Sequence, residues 1–505
     1  MTKYKKLIFT IIVTGGAFAI NYLINFFLTR FITQNIGTDA YGFVGVAKNF
    51  ASYAMIVTIA LNSYSSRYIA VEYHEGNYKK ANIYFNSVLI ADFLLGVAIF
   101  LVAFVLSIRI DAFFNMNSQL VADVRILFIL IFSNLLINTS GTALQAAAYI
   151  KNKLDIIGIV RGVSYCLEAL ILIVCYTFFG VAVYFVGIGM ISATILLFLA
   201  NFIITRKYTS ELVFAPKLFS WNAVKELVVE GVWNSLNSLG NSLNNGLDLI
   251  FANIMLSPMS MGQISIIKSV FAIFSGVYQL VAQPFQPMFL KDYATNNKVE
   301  LIKNLKLSMK ISGLISNLIF AGFFSLGMCY FKLWVPNQNT VLMYNLTLLA
   351  TITCILEGPI YPLYYIYTLT IKNKIPCLIT IGGGILNVLG MYFLIKYTTL
   401  GIYSIQITTA VIMLCISGIS NPIYMAHCLG EKWTVFYPAL GKNVLSCGVM
   451  MAIMHLISSL TKPSTWGQLI FTAIICVVLG SALHLFIVFS KNEKRKLIGL
   501  VRFKR

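Results

Sequence analysis

Residues 1–32, MTKYKKLIFTIIVTGGAFAINYLINFFLTRFI, residues 43–66, FVGVAKNFASYAMIVTIALNSYSS, and residues 67–80, RYIAVEYHEGNYKK, decide the fold. Three lysines precede an apolar run long enough to cross a bilayer, and the connection 33–42 that follows holds neither Lys nor Arg. A second apolar run leads back to a connection carrying Arg67, Lys79 and Lys80. A helix crosses the roughly 30 Å of bilayer hydrocarbon in about 20 residues, and Lys and Arg gather on the cytoplasmic side of such crossings. The stretch therefore reads as an out-and-back helical hairpin with its N-terminus inside. Strands are excluded because the runs do not alternate and because a spanning helix satisfies its backbone hydrogen bonds internally.

The pattern continues along the chain. Fourteen stretches of spanning length lie near 10–32, 43–66, 83–107, 124–148, 157–178, 181–204, 229–255, 262–289, 308–330, 342–369, 377–395, 400–420, 443–461 and 468–489. With the N-terminus inside, the cytoplasmic segments hold 29 of the 37 basic residues, and the external connections hold only Arg109, Arg125, Lys332, Lys396 and Lys462. An even number of spans with both termini cytoplasmic follows. Composition agrees: 59% of the residues are hydrophobic, 11% are charged, and mean hydropathy is +0.83. The net charge of +20 reads as topology and contact with anionic membrane lipid, with no nucleic-acid partner. Ala17-Phe18-Ala19 resembles a signal-peptidase site, but cleavage there would leave thirteen spans and one terminus outside, against the charge pattern. The nine cysteines form no CxxC pair, so no metal, no cofactor and no disulfide framework is expected.

An internal duplication supplies the organisation. Displacing the chain by 220 residues pairs Asn21, Leu23 and Asn25 with Asn241, Leu243 and Asn245, Gly42 with Gly262, and Lys48 with Lys268. The same offset, without a gap, pairs Glu72 with Asp292, Tyr73 with Tyr293 and Asn77 with Asn297. Coincident Asn, Gly and Lys inside apolar spans are informative where Leu and Ile are not. The expected fold is an all-α polytopic membrane protein with about 14 transmembrane helices: two parallel six-helix lobes plus two C-terminal helices. The corresponding boundaries are 1–204 for the first lobe, 205–228 for a cytoplasmic linker, 229–420 for the second lobe, and 421–505 for the two added helices and a basic tail.

The six-plus-six-plus-two arrangement, the turn Ile36-Gly37-Thr38-Asp39-Ala40-Tyr41-Gly42, the Arg67 to Lys80 connection and the segment Pro284 to Asp292 carry a resemblance. The chain resembles the multidrug, oligosaccharidyl-lipid and polysaccharide exporter superfamily, and within it the polysaccharide transporters that include Wzx-type O-antigen flippases. The resemblance covers essentially the whole chain. It implies MATE-like lobes around a central cavity that opens alternately to each face, in a bacterial cytoplasmic membrane. It also implies a substrate, an oligosaccharide on a polyprenyl diphosphate moved outward for surface polysaccharide synthesis.

Candidate site residues are polar groups inside spans, because a charge at mid-bilayer costs at least about 2.5–3.5 kcal/mol. Arg30, Lys48 and Lys268 would suit an anionic group, and the resemblance places them where lipid II flippases carry basic residues. Snorkelling to the interface is the structural alternative for Lys48. Asn234, Asn237, Asn241, Asn244 and Asp248 fall on one helical face, with Asn245 beside it, and suit a glycan or the cavity wall. Interhelical hydrogen bonding is the alternative. Glu357 and Asp248 are candidates for H⁺ or Na⁺ coupling. Tyr361 begins a Pro-broken segment, Glu357 to Tyr367, where a ring could stack on a sugar. Tyr364 to Tyr367 read equally as an interfacial belt. Asp92 and Glu168 read as interhelical pairing groups.

No enzyme and no catalytic residue is expected, since the longest external loop, about Ile108 to Asp123, is too short for a polymerase or ligase site. No GxxxxGK[ST] occurs, which argues against an ATP-driven pump. A cation-coupled multidrug antiporter of the same superfamily is the alternative function, disfavoured by Arg30 and the lack of a carboxylate in the first span. The expected partners are the lipid-linked oligosaccharide, membrane lipids and polysaccharide polymerase machinery, with the chain a monomer.

Overall fold

The computed structural model describes residues 3–151, 153–490, 493 and 494. The side chains of residues 3–14 and the basic tail 495–505 lie outside the described residues, and with them much of the charge assigned to the two termini. The described chain is helical throughout: α1 Lys3–Asn35, α2 Thr38–Asn62, α3 Ser65–His74, α4 Tyr78–Ile108, α5 Ile110–Phe113, α6 Val121–Ser140 and α7 Gln145–Ile150. There follow α8 Leu154–Phe178, α9 Phe185–Tyr208, α10 Trp221–Asn245, α11 Asp248–Phe251, α12 Pro258–Ala282, α13 Gln286–Ala294 and α14 Lys298–Trp334. The rest comprises α15 Thr340–Thr351, α16 Cys354–Ile360, α17 Tyr365–Thr370, α18 Lys374–Tyr397, α19 Tyr403–Cys415, α20 Asn421–Cys428, α21 Tyr437–Thr461 and α22 Trp466–Val488.

Among the described residues, thirteen helical stretches are long and apolar enough to cross a membrane. The fourteenth expected span is α10. At 25 residues it has the length, but its Glu226, Glu230 and asparagines deprive it of the apolarity. It also starts earlier than read from sequence and breaks at Gly246-Leu247, so that Asp248 opens a separate short helix. The Arg67 to Lys80 connection is likewise more ordered than a loop. Its first half is α3, which buries Ile69, Ala70 and Tyr73.

The chain forms two compact units, Met1–Ile266 and Ile267–Arg505. In the first, α10 lies along α2. Gly231 meets the backbone of Ala60, Ser235 Oγ donates to the Ile56 carbonyl, and Asn49 Nδ2 donates to the Gly246 carbonyl at 3.0 Å. Near the start of α12, Gly42 approaches Gly262, its partner at the 220-residue offset. A β-carbon on Gly42 would lie 2.9 Å from the Gly262 amide nitrogen, and one on Gly262 would collide with the Thr38 carbonyl. Only glycine permits helix backbones this close.

The duplication is visible in backbone geometry. After α3 the amides of Glu75, Gly76 and Asn77 bond to the carbonyls of Val71, Tyr73 and Glu72. After α13 the amides of Thr295, Asn296 and Asn297 bond to those of Lys291, Tyr293 and Asp292. Gly76 (φ 79°) and Asn296 (φ 52°) are both left-handed, the conformation that ends a helix with this bonding pattern. Asn77 then caps α4 by accepting from the Lys80 amide, and Asn297 caps α14 by accepting from that of Glu300.

The connection between α9 and α10 is fastened to α4. Asn82 accepts from the Val213 amide at 2.8 Å and donates to the Glu211 carbonyl at 2.7 Å. Asn86 accepts from the Ala215 amide at 2.7 Å and donates to the Val213 carbonyl at 2.9 Å. Ser87 Oγ accepts from the Ser220 amide at 2.9 Å. The Glu211 carboxylate accepts from the Tyr73 hydroxyl at 2.8 Å. A backbone N–H and this hydroxyl hold the carboxyl below its ordinary pKa, because both bonds favour its charged form.

In the second unit the tenth span is broken, as its prolines require. It runs α15, α16, a 3₁₀ turn Tyr361–Tyr364 and α17. Pro284 lies in a second 3₁₀ turn, Gln283–Phe285, that separates α12 from α13. Phe289, Leu305, Met309, Ile360, Leu363, Met425 and Phe436 form the core around these breaks.

Candidate functional site

Helix α10 presents two faces. Gly231, Ser235 and Gly246 pack on α2. At 3.6 residues per turn, the polar stripe is centred about 120° around the helix from that contact. Asn237, Asn241 and Asn245 are exposed along it, and Asn234 is half-buried. The predicted face is divided, however. Asn244 and Asp248 are turned inward, 1% and 2% exposed, and the Asn244 side-chain amide donates to the Gly240 carbonyl at 2.9 Å. The break at Gly246-Leu247 takes Asp248 off an otherwise continuous face, whereas Asn244 stays on α10 and is covered there by tertiary packing.

The stripe continues N-terminal to residue 229. Glu226 and Glu230 occupy the same flank, two turns and one turn before Asn234, and both are exposed. Glu226 accepts from the hydroxyl of buried Tyr84 at 2.7 Å, and the Tyr68 ring stands edge-on to Tyr84 at 5.3 Å. The i, i+4 register of Glu226, Glu230 and Asn234 was legible once the helix start at Trp221 was known.

The basic candidates are half-buried. Arg30 lies on α1, Lys48 on α2 and Lys268 on α12. Inside the first unit, Lys48 has Glu168 of α8 as its electrostatic partner. No sequence spacing links residues 120 positions apart, so this counter-charge is a tertiary finding. Asp92 on α4 is fully buried and accepts from Asn62 Nδ2 at 2.9 Å, the interhelical pairing expected for it.

In the second unit Glu357 is half-buried on α16, and its Oε2 is enclosed without a hydrogen bond among the described residues. Its electrostatic neighbours are Tyr278, Cys354, Tyr361 and Tyr364. Tyr361 is half-buried, its ring 6.5 Å from that of Tyr278. The interfacial tyrosine belt does not form at Tyr364 and Tyr367. Asn421 of α20 donates to the Tyr364 hydroxyl at 2.9 Å and accepts from that of Tyr367 at 3.0 Å. A buried amide with both of its groups satisfied by phenols holds the rings inside.

A model of the family described as "Polysaccharide biosynthesis protein" matches residues 4–291, more than half of the chain. The uncharacterized membrane protein EpsK of Bacillus subtilis (strain 168) is 26% identical over 491 residues, covering 97% of this chain and 96% of its own. Two solved structures share the fold. The lipid II flippase MurJ in an inward closed conformation has a TM-score of 0.67 at 14% identity, covering 94% of this chain and 99% of its own. An inward-facing multidrug resistance MATE family transporter of the MOP superfamily has a TM-score of 0.65 at 14% identity, covering 83% and 98%. By the family match over residues 4–291, more than half of its length, the chain belongs to the polysaccharide biosynthesis protein family, and it shares the fold of the two solved structures.

Proposed function

We propose that the protein is a flippase that moves a polyprenyl-diphosphate-linked oligosaccharide from the inner to the outer leaflet of the bacterial cytoplasmic membrane. The movement is alternating access of two lobes, 1–204 and 229–420, joined by 205–228, with 421–505 added and both termini cytoplasmic. The observation that carries the reading is the exposed polar flank of α10. Asn237 and Asn241, on a helix read as spanning the membrane, need water or substrate hydroxyls, since hydrocarbon leaves their amides unsatisfied. The diphosphate is held by Arg30, Lys48 and Lys268, and the glycan by Asn234, Asn237, Asn241 and Asn245, with Tyr361 a stacking surface. Glu168 contributes a counter-charge to Lys48, which the diphosphate replaces. Outward movement of an anion down an inside-negative potential gains about 2.3 kcal/mol per charge per 100 mV, so the potential biases direction outward. Glu357, and Asp248 from its buried position, are the candidates for H⁺ or Na⁺ coupling. The likeness to MurJ, named as a lipid II flippase, supports a lipid-linked substrate.

Replacing Arg30, Lys48 and Lys268 singly with Ala is expected to abolish or strongly reduce surface polysaccharide at unchanged protein level. Normal export by all three variants removes the anion site.

A further inference from the structure

We propose that a cavity between the lysine-rich ends of α14 and α21 is a binding site for the phosphodiester headgroup of an anionic phospholipid. The cavity has a volume of about 420 Å³ and is lined by Lys303, Lys306 and Lys310 of α14, Lys442 of α21, and Glu493. Lys303, Lys306 and Lys310 are spaced i, i+3, i+7 and so share one helical face.

Two of the four lysines are already neutralised. Lys310 pairs with Glu493 at 2.7 Å, and Lys303 pairs with Glu300 at 2.8 Å. Lys306 and Lys442 have neither an ion pair nor a hydrogen bond among the described residues. Like charges facing one cavity destabilise each other until an anion enters.

The surroundings fix the class of anion. Val299, Ile302, Pro438 and Ala439 supply an apolar wall beside the lysines, and Val299 is 79% exposed. Trp433, 60% exposed, stands edge-on to Tyr437 at 5.8 Å. An exposed Trp with a Tyr at the end of a spanning helix marks headgroup depth. Apolar wall, aromatic marker and paired ammonium groups together match a lipid headgroup with its first acyl carbons.

The other repeat shows why the space is open. At the 220-residue offset, Asn82, Asn86 and Ser87 correspond to Ile302, Lys306 and Leu307. In the first repeat those positions grip residues 211–220. In the second the equivalent face has lost its amides and gained ammonium groups.

The test uses the full chain in nanodiscs of phosphatidylcholine doped with phosphatidylglycerol, with retained lipid read by native mass spectrometry. Wild type is expected to retain phosphatidylglycerol selectively. Lys306→Gln/Lys442→Gln is expected to weaken retention about 25-fold, about fivefold for each lysine at about 1 kcal/mol each. The double arginine variant at the same positions keeps retention. A charge-matched control, Lys79→Gln/Lys372→Gln, leaves it unchanged. Equal retention by wild type and the double Gln variant overturns the proposal. So does displacement of phosphatidylglycerol by inorganic phosphate, or by a short polyprenyl diphosphate at lower concentration, because the cavity then belongs to free phosphate or to the transported lipid.

Discussion

On α4, Asn82, Asn86 and Ser87 turn toward the connection 211–220 and satisfy its backbone, whereas on α14 the matching positions carry Ile302, Lys306 and Leu307 beside a cavity. Both helices begin identically, with a left-handed residue at Gly76 or Asn296 and an asparagine cap one residue later. Duplication has therefore preserved the turn, whose geometry any copy of the fold needs, and released the helix face beyond it. Amides there make a strap, since each can donate and accept at once. Lysines cannot accept, so no backbone amide can be held by them, and the space stays available to an anion.

The comparison can be broken most severely where the first unit brings repeat partners into contact. Gly262→Val drives a side chain into the Thr38 carbonyl, and backbone cannot shift as a flexible side chain can. A loss of about 3 kcal/mol, the upper end for overpacking, is expected, read as loss of monodisperse protein on detergent size-exclusion chromatography. Gly322→Val, where a β-carbon meets nothing within 4 Å, is the control and should elute as wild type.

Asn86→Ala tests the strap itself. It removes three hydrogen bonds, two of them to the connection, and leaves the Ala215 amide and Val213 carbonyl without their side-chain partner, a cost of about 2 kcal/mol. Limited trypsin digestion should then cut at Lys217, while Lys306→Ala, at the matching position, leaves the digestion pattern unchanged. Equal protection of Lys217 in wild type and Asn86→Ala would show that the strap does not constrain the linker.

The smallest effect sharpens the likeness. Asn77→Ala and Asn297→Ala should each cost about 1 kcal/mol, the ordinary value of a helix cap, and by similar amounts in thermal unfolding. A difference of more than about twofold in free energy between them would mean that the two turns, though alike in backbone, have diverged in load.

Much of this is legible in the sequence. Lys3 to Lys80 sets the first hairpin, the 220-residue offset pairs the residues that flank both turns, and Pro359 and Pro362 announce the break between α16 and α17. What failed was the reading of α10. A periodicity argument shows that Asn234, Asn237, Asn241, Asn244 and Asp248 share a face, but it assumes an unbroken helix and cannot say what the face meets. The break at Gly246-Leu247 took Asp248 off the face, and tertiary packing covered Asn244 although it remains on α10. They also left Glu226 and Glu230 at the head of the exposed flank. Tyr364 and Tyr367 failed for the same reason, since a belt and a buried cluster have one sequence signature and Asn421 decides between them.

The sequence by itself determined that the chain is built of membrane-crossing helices and that residues around 21–77 recur at a 220-residue offset, and its Lys and Arg supply the orientation proposed for those helices. Each of those follows from local chemistry: the cost of an unpaired backbone in hydrocarbon, the preference of Lys and Arg for one side, and residue identity at a fixed offset. Only the tertiary structure decided that Glu168 answers Lys48, that α4 holds the linker and that α14 does not. Those are meetings between side chains far apart in the chain, fixed by the distance and angle at which whole helices pack.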